Sequence, residues 1–362
     1  MRTRKNTSEK TRIALLAAAI AVLLLVGGFF VVKYITSGQA GGLFSGGNNP
    51  LKDVSLFVDP NSKPAVQAAA WRGTQPENAA LMDKLAAQPT ARWSTYAGDF
   101  DALSQYVQAA AASKKTPVLV SYFFPKRDCG RYSTGGARDG EEYKGFIDGF
   151  ANTIGTARAI VILEPDAIPN IKALDDQGKP CLSDEDQQLY YSLMDYAVTT
   201  LKSQSNISLY IDAGNSQWIK DTNETANRLK RASIAKADGF SLNVSNFQTT
   251  DDTIAYGEAI SRAIDGKHFV IDTSRNGNGP FTNPAYPSHG WCNPPDRALG
   301  HYPTTQTGHG SVDAYLYIKR PGESDGADAD PQKCFGGPKA GDWWPDYAAG
   351  LVARWPKELQ PN

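Results

Sequence analysis

Several hydrophobic runs in this chain stop on a carboxylate, an amide or a basic residue, and that punctuation restricts the fold more than any other feature. The clearest is Ala159-Ile160-Val161-Ile162-Leu163, which delivers Glu164-Pro165-Asp166. The run 118–122 leads to Asp128, 207–212 ends on Asp212, and 240–246 ends on Asn246. The run 269–272 ends on Asp272 and leads to Arg275, while 314–319 leads to Glu323 and Asp325. These runs are almost continuously apolar, as strands buried on both faces are. Between them lie segments of helical period at 101–111, 141–154, 184–202, 222–236 and 253–264. Ser183 or Asp184 and Asp221 or Thr222 are suited to cap two of them. Repeated strand–helix units predict an α/β fold, a mostly parallel sheet with helices outside. In a barrel of that kind the strand C-terminal ends share one face, which carries the site.

Net charge is -1 over 362 residues, but it is uneven. Arg2, Arg4, Lys5, Lys10, Arg12 and Lys33 face one acid, Glu9, in the first 33 residues. The remainder is therefore acidic, which argues against nucleic acid as a partner. Residues 13–32 form an unbroken apolar or small-residue run, long enough for a hydrocarbon core of about 30 Å. The expectation is a cytoplasmic basic tail at 1–12, a transmembrane anchor or signal sequence at 13–33, and a Gly/Ser/Asn-rich flexible linker at 34–52. One catalytic domain then fills 53–362. The bulk of the chain is expected outside the cytoplasm, anchored or secreted.

Cys129, Cys181, Cys292 and Cys334 allow three disulfide pairings. Cys129–Cys181 and Cys292–Cys334 are favoured, because each joins loops near the proposed rim. The cysteines lack C-x-x-C spacing and the four histidines lack ligand spacing, so no metal site is expected. Residues 276–307, rich in Gly, Pro, Asn and aromatics, read as a long ordered loop.

Pro165 ends the strand's hydrogen bonding, pushes Glu164 to extended geometry and throws Asp166 off the tip. In a desolvated cleft Asp166 would hold a proton for a leaving group; its structural alternative is a helix cap. Asp128 would raise the pKa of Asp166 or orient a water, or else pair with Arg127 at the surface. The loop after it carries Ser133 and Thr134 among glycines and could close over substrate. Trp218, in a loop after Asp212-Ala213-Gly214, suits stacking on a sugar ring. Acids and aromatics on one rim suggest carbohydrate chemistry.

Taken in order, these motifs resemble glycoside hydrolase family 6, the cellulases that include endoglucanases and cellobiohydrolases. The carriers are Tyr122 with Arg127-Asp128-Cys129-Gly130, Ile162-Leu163-Glu164-Pro165-Asp166, Tyr210-Ile211-Asp212-Ala213-Gly214 and Leu242-Asn243-Val244-Ser245-Asn246-Phe247. Asp272-Thr273-Ser274-Arg275, Trp291-Cys292-Asn293-Pro294-Pro295 and Lys319-Arg320-Pro321-Gly322-Glu323-Ser324-Asp325-Gly326 complete the set. The resemblance implies a distorted barrel of about seven strands and inverting hydrolysis of β-1,4-glucan. It implies Asp166 as general acid, Asp128 as its tuner and Asp325 as the proposed base. Tyr122 would press on the distorted ring. Asp212, Trp218, Asn243, Asn246, Trp291, Lys319, Glu323 and the Trp93-Ser94 pair would meet substrate, and Ser133 and Thr134 the attacking water. The two disulfides match the pairing above, and no cofactor is implied. The sequence departs from the family at Asn215, where His is usual, and at Phe123-Phe124-Pro125-Lys126. The short chain favours an open cleft and endo cleavage by a monomer. The rival readings are a non-catalytic glycan-binding envelope protein and a hydrolase of another envelope β-glucan.

Overall fold

The computed structural model describes residues 49–130, 133–175, 177–283, 285, 290–328 and 334–361. The basic tail, the apolar segment and the linker as far as residue 48 lie outside them. Among the described residues no helix is long and apolar enough to cross a membrane.

The strands are β1 (Arg92–Ser94), β2 (Val118–Ser121), β3 (Ala159–Leu163), β4 (Ile207–Asp212), β5 (Gly239–Leu242), β6 (His268–Asp272) and β7 (Val312–Leu316). They form one sheet in chain order, and each neighbouring pair is parallel. The two edges approach each other at a parallel bridge between Thr90 and Tyr317. There the Ala91 amide donates to the Tyr317 carbonyl at 2.9 Å. The result is a barrel with a seam between β1 and β7, as the expectation of a distorted barrel required.

The period-two alternation of each strand sorts its side chains. Ile160 and Ile162 of β3 point into the barrel, where they meet Val118, Val120, Tyr210, Val270 and Leu316. Ala159, Val161 and Leu163 point outward, into a layer shared with Phe146, Ile147, Met194 and Val198. Burying each such side chain contributes roughly 1.5–3 kcal/mol, so a one-residue slip would expose a whole row.

Eight α-helices are described: α1 (Lys63–Trp71), α2 (Pro76–Ala86), α3 (Phe100–Ala112), α4 (Gly140–Ile154), α5 (Asp184–Lys202), α6 (Thr222–Arg231), α7 (Thr250–Ala263) and α8 (Pro345–Ala353). α5 begins with a capping box between Ser183 and Asp186. α6 stops short of the expected residue 236, because Ser233 turns left-handed at φ 63°. Helices α1, α2 and α8 were not anticipated; they share a satellite core with Ala68, Met82, Leu85 and Leu351. The domain also begins before the expected residue 53. Asn49 donates to the Asp313 carbonyl at 3.1 Å, and Leu51 is buried in the barrel.

Candidate active site

The strand ends build the site through carboxylates that brace one another. Glu164 follows β3 with φ 49° and Asp166 has φ 72°. Glu164 is therefore left-handed and not extended, contrary to the expectation for a residue before proline. That turn sends its side chain sideways under the end of β2. One oxygen accepts the Ser121 hydroxyl at 2.5 Å, and the other accepts the amides of Phe123 at 2.9 Å and Phe124 at 3.1 Å. Glu164 is fully buried, so these bonds compensate a group that would otherwise be costly to desolvate.

The same bonds fix Tyr122, which lies between the braced residues. Its hydroxyl donates to Asp166 Oδ2 at 3.1 Å. Its ring meets Trp93 edge-on at 5.1 Å, and the Arg127 guanidinium covers it at 4.1 Å. Arg127 also donates to the carbonyls of Tyr122 and Ser133. Ser94, which ends β1, is buried, and its hydroxyl has no hydrogen-bond partner among the described residues. Trp93, not Ser94, is thus the member of that pair able to offer a face.

Asp128 (φ 55°) accepts the Ser133 amide at 2.7 Å, and Cys129 beside it is bonded to Cys181. Disulfide and amide together hold the β2 loop close to the acid. Thr134 contributes its carbonyl, which accepts Arg127 at 3.4 Å. The second disulfide joins Cys292 to Cys334, so both expected pairings are present.

Asp166 keeps part of its surface open, while protein crowds its carboxyl. Burial pushes its pKa up to about 7, and the negative charge of Asp128 adds to the rise. Tyr122's hydrogen bond and the cations Lys319 and Arg127 oppose it. This carboxyl can hold a proton near neutral pH and release it to a leaving group.

Asp212 was expected to touch substrate, but it is buried with both oxygens occupied. It accepts the amides of Asp166 at 2.9 Å and Gly214 at 3.3 Å, and the Ser241 hydroxyl at 3.2 Å. Burial, then the charge of Asp166, pushes its pKa up to about 8. Asn243 is likewise scaffold. Its amide group donates to the carbonyls of Gln248 and Asp272 and accepts the Gln248 amide. Asn215 is buried and caps Gln217, and Asn246 bonds to Phe247 and Gln248. Trp218 and Trp291 are exposed, as stacking platforms must be. Trp218 lies beside Gly214 (φ 73°), where an added Cβ would stand 2.8 Å from Pro169.

Asp325 lies among cations. Arg275 reaches one oxygen at 2.7 Å and Lys319 the other at 3.2 Å, while the Asn293 amide donates at 3.1 Å. Burial alone would raise its pKa, but the two cations and these bonds hold it below the usual carboxylate range. Arg275 is itself fully buried and stacks on Phe247 at 4.4 Å. Glu323 is buried at the seam, where Lys63 at 3.1 Å and Arg320 at 2.8 Å share one of its oxygens. Sequence reasoning missed the bracing role of Glu164 and the weight of Arg275. Among the described residues no cluster of His, Cys, Asp and Glu is arranged to hold a metal ion.

The model of the glycosyl hydrolases of family 6 matches residues 51–355. Endoglucanase A of Cellulomonas fimi is 39% identical over 313 residues, covering 84% of this chain and 63% of that one. Endoglucanase A of Thermobispora bispora is 40% identical over 289 residues, covering 77% and 59%. The chain thus spans about three fifths of the length of these relatives. Among solved structures, the endoglucanase Cel6 from Mycobacterium tuberculosis, in complex with methyl-cellobiosyl-4-deoxy-4-thio-β-D-cellobioside, aligns with TM-score 0.75 and 40% identity, over 84% of this chain and 99% of that one.

Proposed function

Because the chain belongs to the glycosyl hydrolases of family 6, we propose that it cleaves β-1,4-linked glucan with inversion at the anomeric carbon, in endo mode and outside the cytoplasm. The observation that carries the reading is Asp166, a carboxyl with its pKa raised to about 7 and hydrogen-bonded to Tyr122. Asp166 protonates the glycosidic oxygen. Inversion needs a water on the opposite face of the sugar, with room between the two carboxyl functions. Asp128 and the Ser133 it holds orient that water. Asp325 is a weak proton acceptor while Arg275 and Lys319 neutralise it, so its part is to place Lys319, and the proton released by the attacking water passes along the water held by Asp128 to solvent. Trp93, Trp218 and Trp291 carry the sugar rings. Endo action is supported by relatives at 39–40% identity that are named endoglucanases, against 28% for a probable cellobiohydrolase C of Aspergillus niger. Export is supported by the two disulfides, with segment 13–33 as its signal or anchor.

The test is Asp166→Ala on two substrates. On carboxymethyl-cellulose, activity is expected to fall about 10²–10⁴-fold, the range of general acid catalysis. On a cellobioside with a 2,4-dinitrophenyl leaving group the loss should be far smaller. Equal losses on both would remove Asp166 as the acid. Proton NMR of the first-formed product should show the α-anomer; the β-anomer would refute inversion.

A further inference from the structure

The parallel sheet gives the barrel two unlike ends. Every strand starts at one end and finishes at the other, and Asp128, Asp166, Asp212 and Asp325 each close or follow a strand. The turns that precede the strands carry the opposite charge. Lys114 and Lys115 lead into β2, Arg158 into β3, Lys236 into β5 and Lys267 into β6. Lys52 joins them, because the Thr116 amide donates to the Ser55 carbonyl at 2.8 Å and Leu56 bridges to Thr116.

Pairing leaves this strand-entry end with a surplus of positive charge. Lys202 holds Asp238 at 2.7 Å and Lys236 holds Asp195 at 2.5 Å, so these four groups cancel. Lys52, Lys114, Lys115 and Arg158 are exposed and make no ion pair among the described residues, against the exposed acids Asp53 and Asp265. Lys114 closes α3 left-handed at φ 57°. Its amide and that of Lys115 both return to the helix, at 3.0 Å, so the two lysines sit on a rigid turn. In a domain that is acidic as a whole, these bases are concentrated opposite the cleft.

The chain enters the domain at the same end. Asn49 donates to the carbonyl of Asp313, near the start of β7, and Leu51 is buried among the strands. Residues 34–48 thus lead from segment 13–33 to this end. A Gly-rich chain of that length averages about 20 Å end to end. An anionic membrane attracts bases that come within a screening length of it, about 8 Å at physiological ionic strength. We propose that the strand-entry end of the barrel docks on an anionic phospholipid surface, with Lys52, Lys114, Lys115 and Arg158 against the headgroups. The proposal rests on the reading of segment 13–33 as a retained anchor and adds an orientation to it. The acids of the cleft, which such a surface would repel, point away from it toward the substrate.

The full chain is reconstituted into phosphatidylcholine vesicles with and without phosphatidylglycerol, and lysine acetylation is followed residue by residue by mass spectrometry. Acetylation of Lys114 and Lys115 should be about tenfold slower on the anionic vesicles. Lys339, exposed near Ser324 at the other end, should react equally on both. High salt, which cuts the screening length to about 3 Å, should remove the difference. In the double variant Lys52→Glu with Arg158→Glu the protection should be lost, with hydrolysis of soluble carboxymethyl-cellulose unchanged. Equal acetylation of wild type on both vesicles overturns the docking and leaves the anchor and glucanase readings standing. A chain that does not float with neutral vesicles overturns the anchor, and the docking with it. Protection by soluble polyphosphate on neutral vesicles, with none from phosphatidylglycerol, would give this end to a polyanionic polymer and overturn docking on lipid.

Discussion

Asp212 accepts the backbone amide of Asp166 at 2.9 Å, so the acid is held by its main chain while its carboxyl faces the cleft. Tyr122 holds the carboxyl itself, at 3.1 Å. Main-chain and side-chain anchoring come from different strands, β4 and β2. Small shifts of either strand end therefore reach the reacting proton.

Asp212→Asn is expected to stabilise the protein increasingly as pH rises. The folded pKa of Asp212, about 8, lies above the unfolded value near 3.9. The folded state then binds the extra proton between these values, and stability falls as pH climbs through that window. Asparagine removes this loss. Melting temperatures of variant and parent at pH 4 and pH 8 check it: the difference should grow in the variant's favour, and a constant difference would mean that Asp212 does not titrate there.

Asp128→Asn should move the alkaline limb of the kcat profile to lower pH. Burial is the larger cause of the raised Asp166 pKa, and the charge of Asp128 is the second. Without that charge Asp166 loses its proton earlier, so activity declines at a lower pH. A limb that stays in place would assign the whole shift to burial.

Glu164→Leu should damage catalysis without touching substrate. It would leave the amides of Phe123 and Phe124 and the Ser121 hydroxyl without their buried acceptor. The expected stability cost is about 1–3 kcal/mol. The displaced Tyr122 and Asp166 should lower kcat about 10²-fold, as misplacement by 1 Å can. Unlike Asp166→Ala, this variant should lose activity on the activated cellobioside as well, because the Tyr122 platform moves too. Recovery on that substrate would confine Glu164 to positioning the acid.

Arg275→Leu should destabilise the fold by about 3–5 kcal/mol, since it leaves Asp325 buried with Lys319 as its remaining cation. The double variant Arg275→Leu with Asp325→Leu should recover part of that loss, because no uncompensated charge remains. Urea unfolding of parent, single and double variants measures the coupling, and strict additivity would contradict it.

Much of the architecture was legible in the sequence. The buried strands β3, β4 and β6 stand out as apolar runs, and α5 matches its expected limits at both ends because Ser183 and Asp186 cap it. β1 spans three residues, too short to carry a period, and α1 is short and Ala-rich. The acids at the strand ends were visible, but their division of labour was not. Asp166 and Asp212 look alike in sequence, each closing an apolar run. What separates them is whether neighbouring amides occupy the oxygens, and that depends on which strand lies alongside. Glu164 shows the same limit: a left-handed φ before proline runs against the local preference, and the buried bonds to β2 override it.

Left-handed residues other than glycine gather where the strands finish: Asp128, Cys129, Glu164, Asp166, Asn243 and Ser245. Each costs of order 1–3 kcal/mol and persists because its surroundings hold it in place. Warming should therefore relax the catalytic rim before the barrel beneath it melts. Activity should fade several degrees below the unfolding midpoint. Glycine at these points would ease the backbone but delete the side chains that do the work, so heat resistance has to be sought in the helices and the seam.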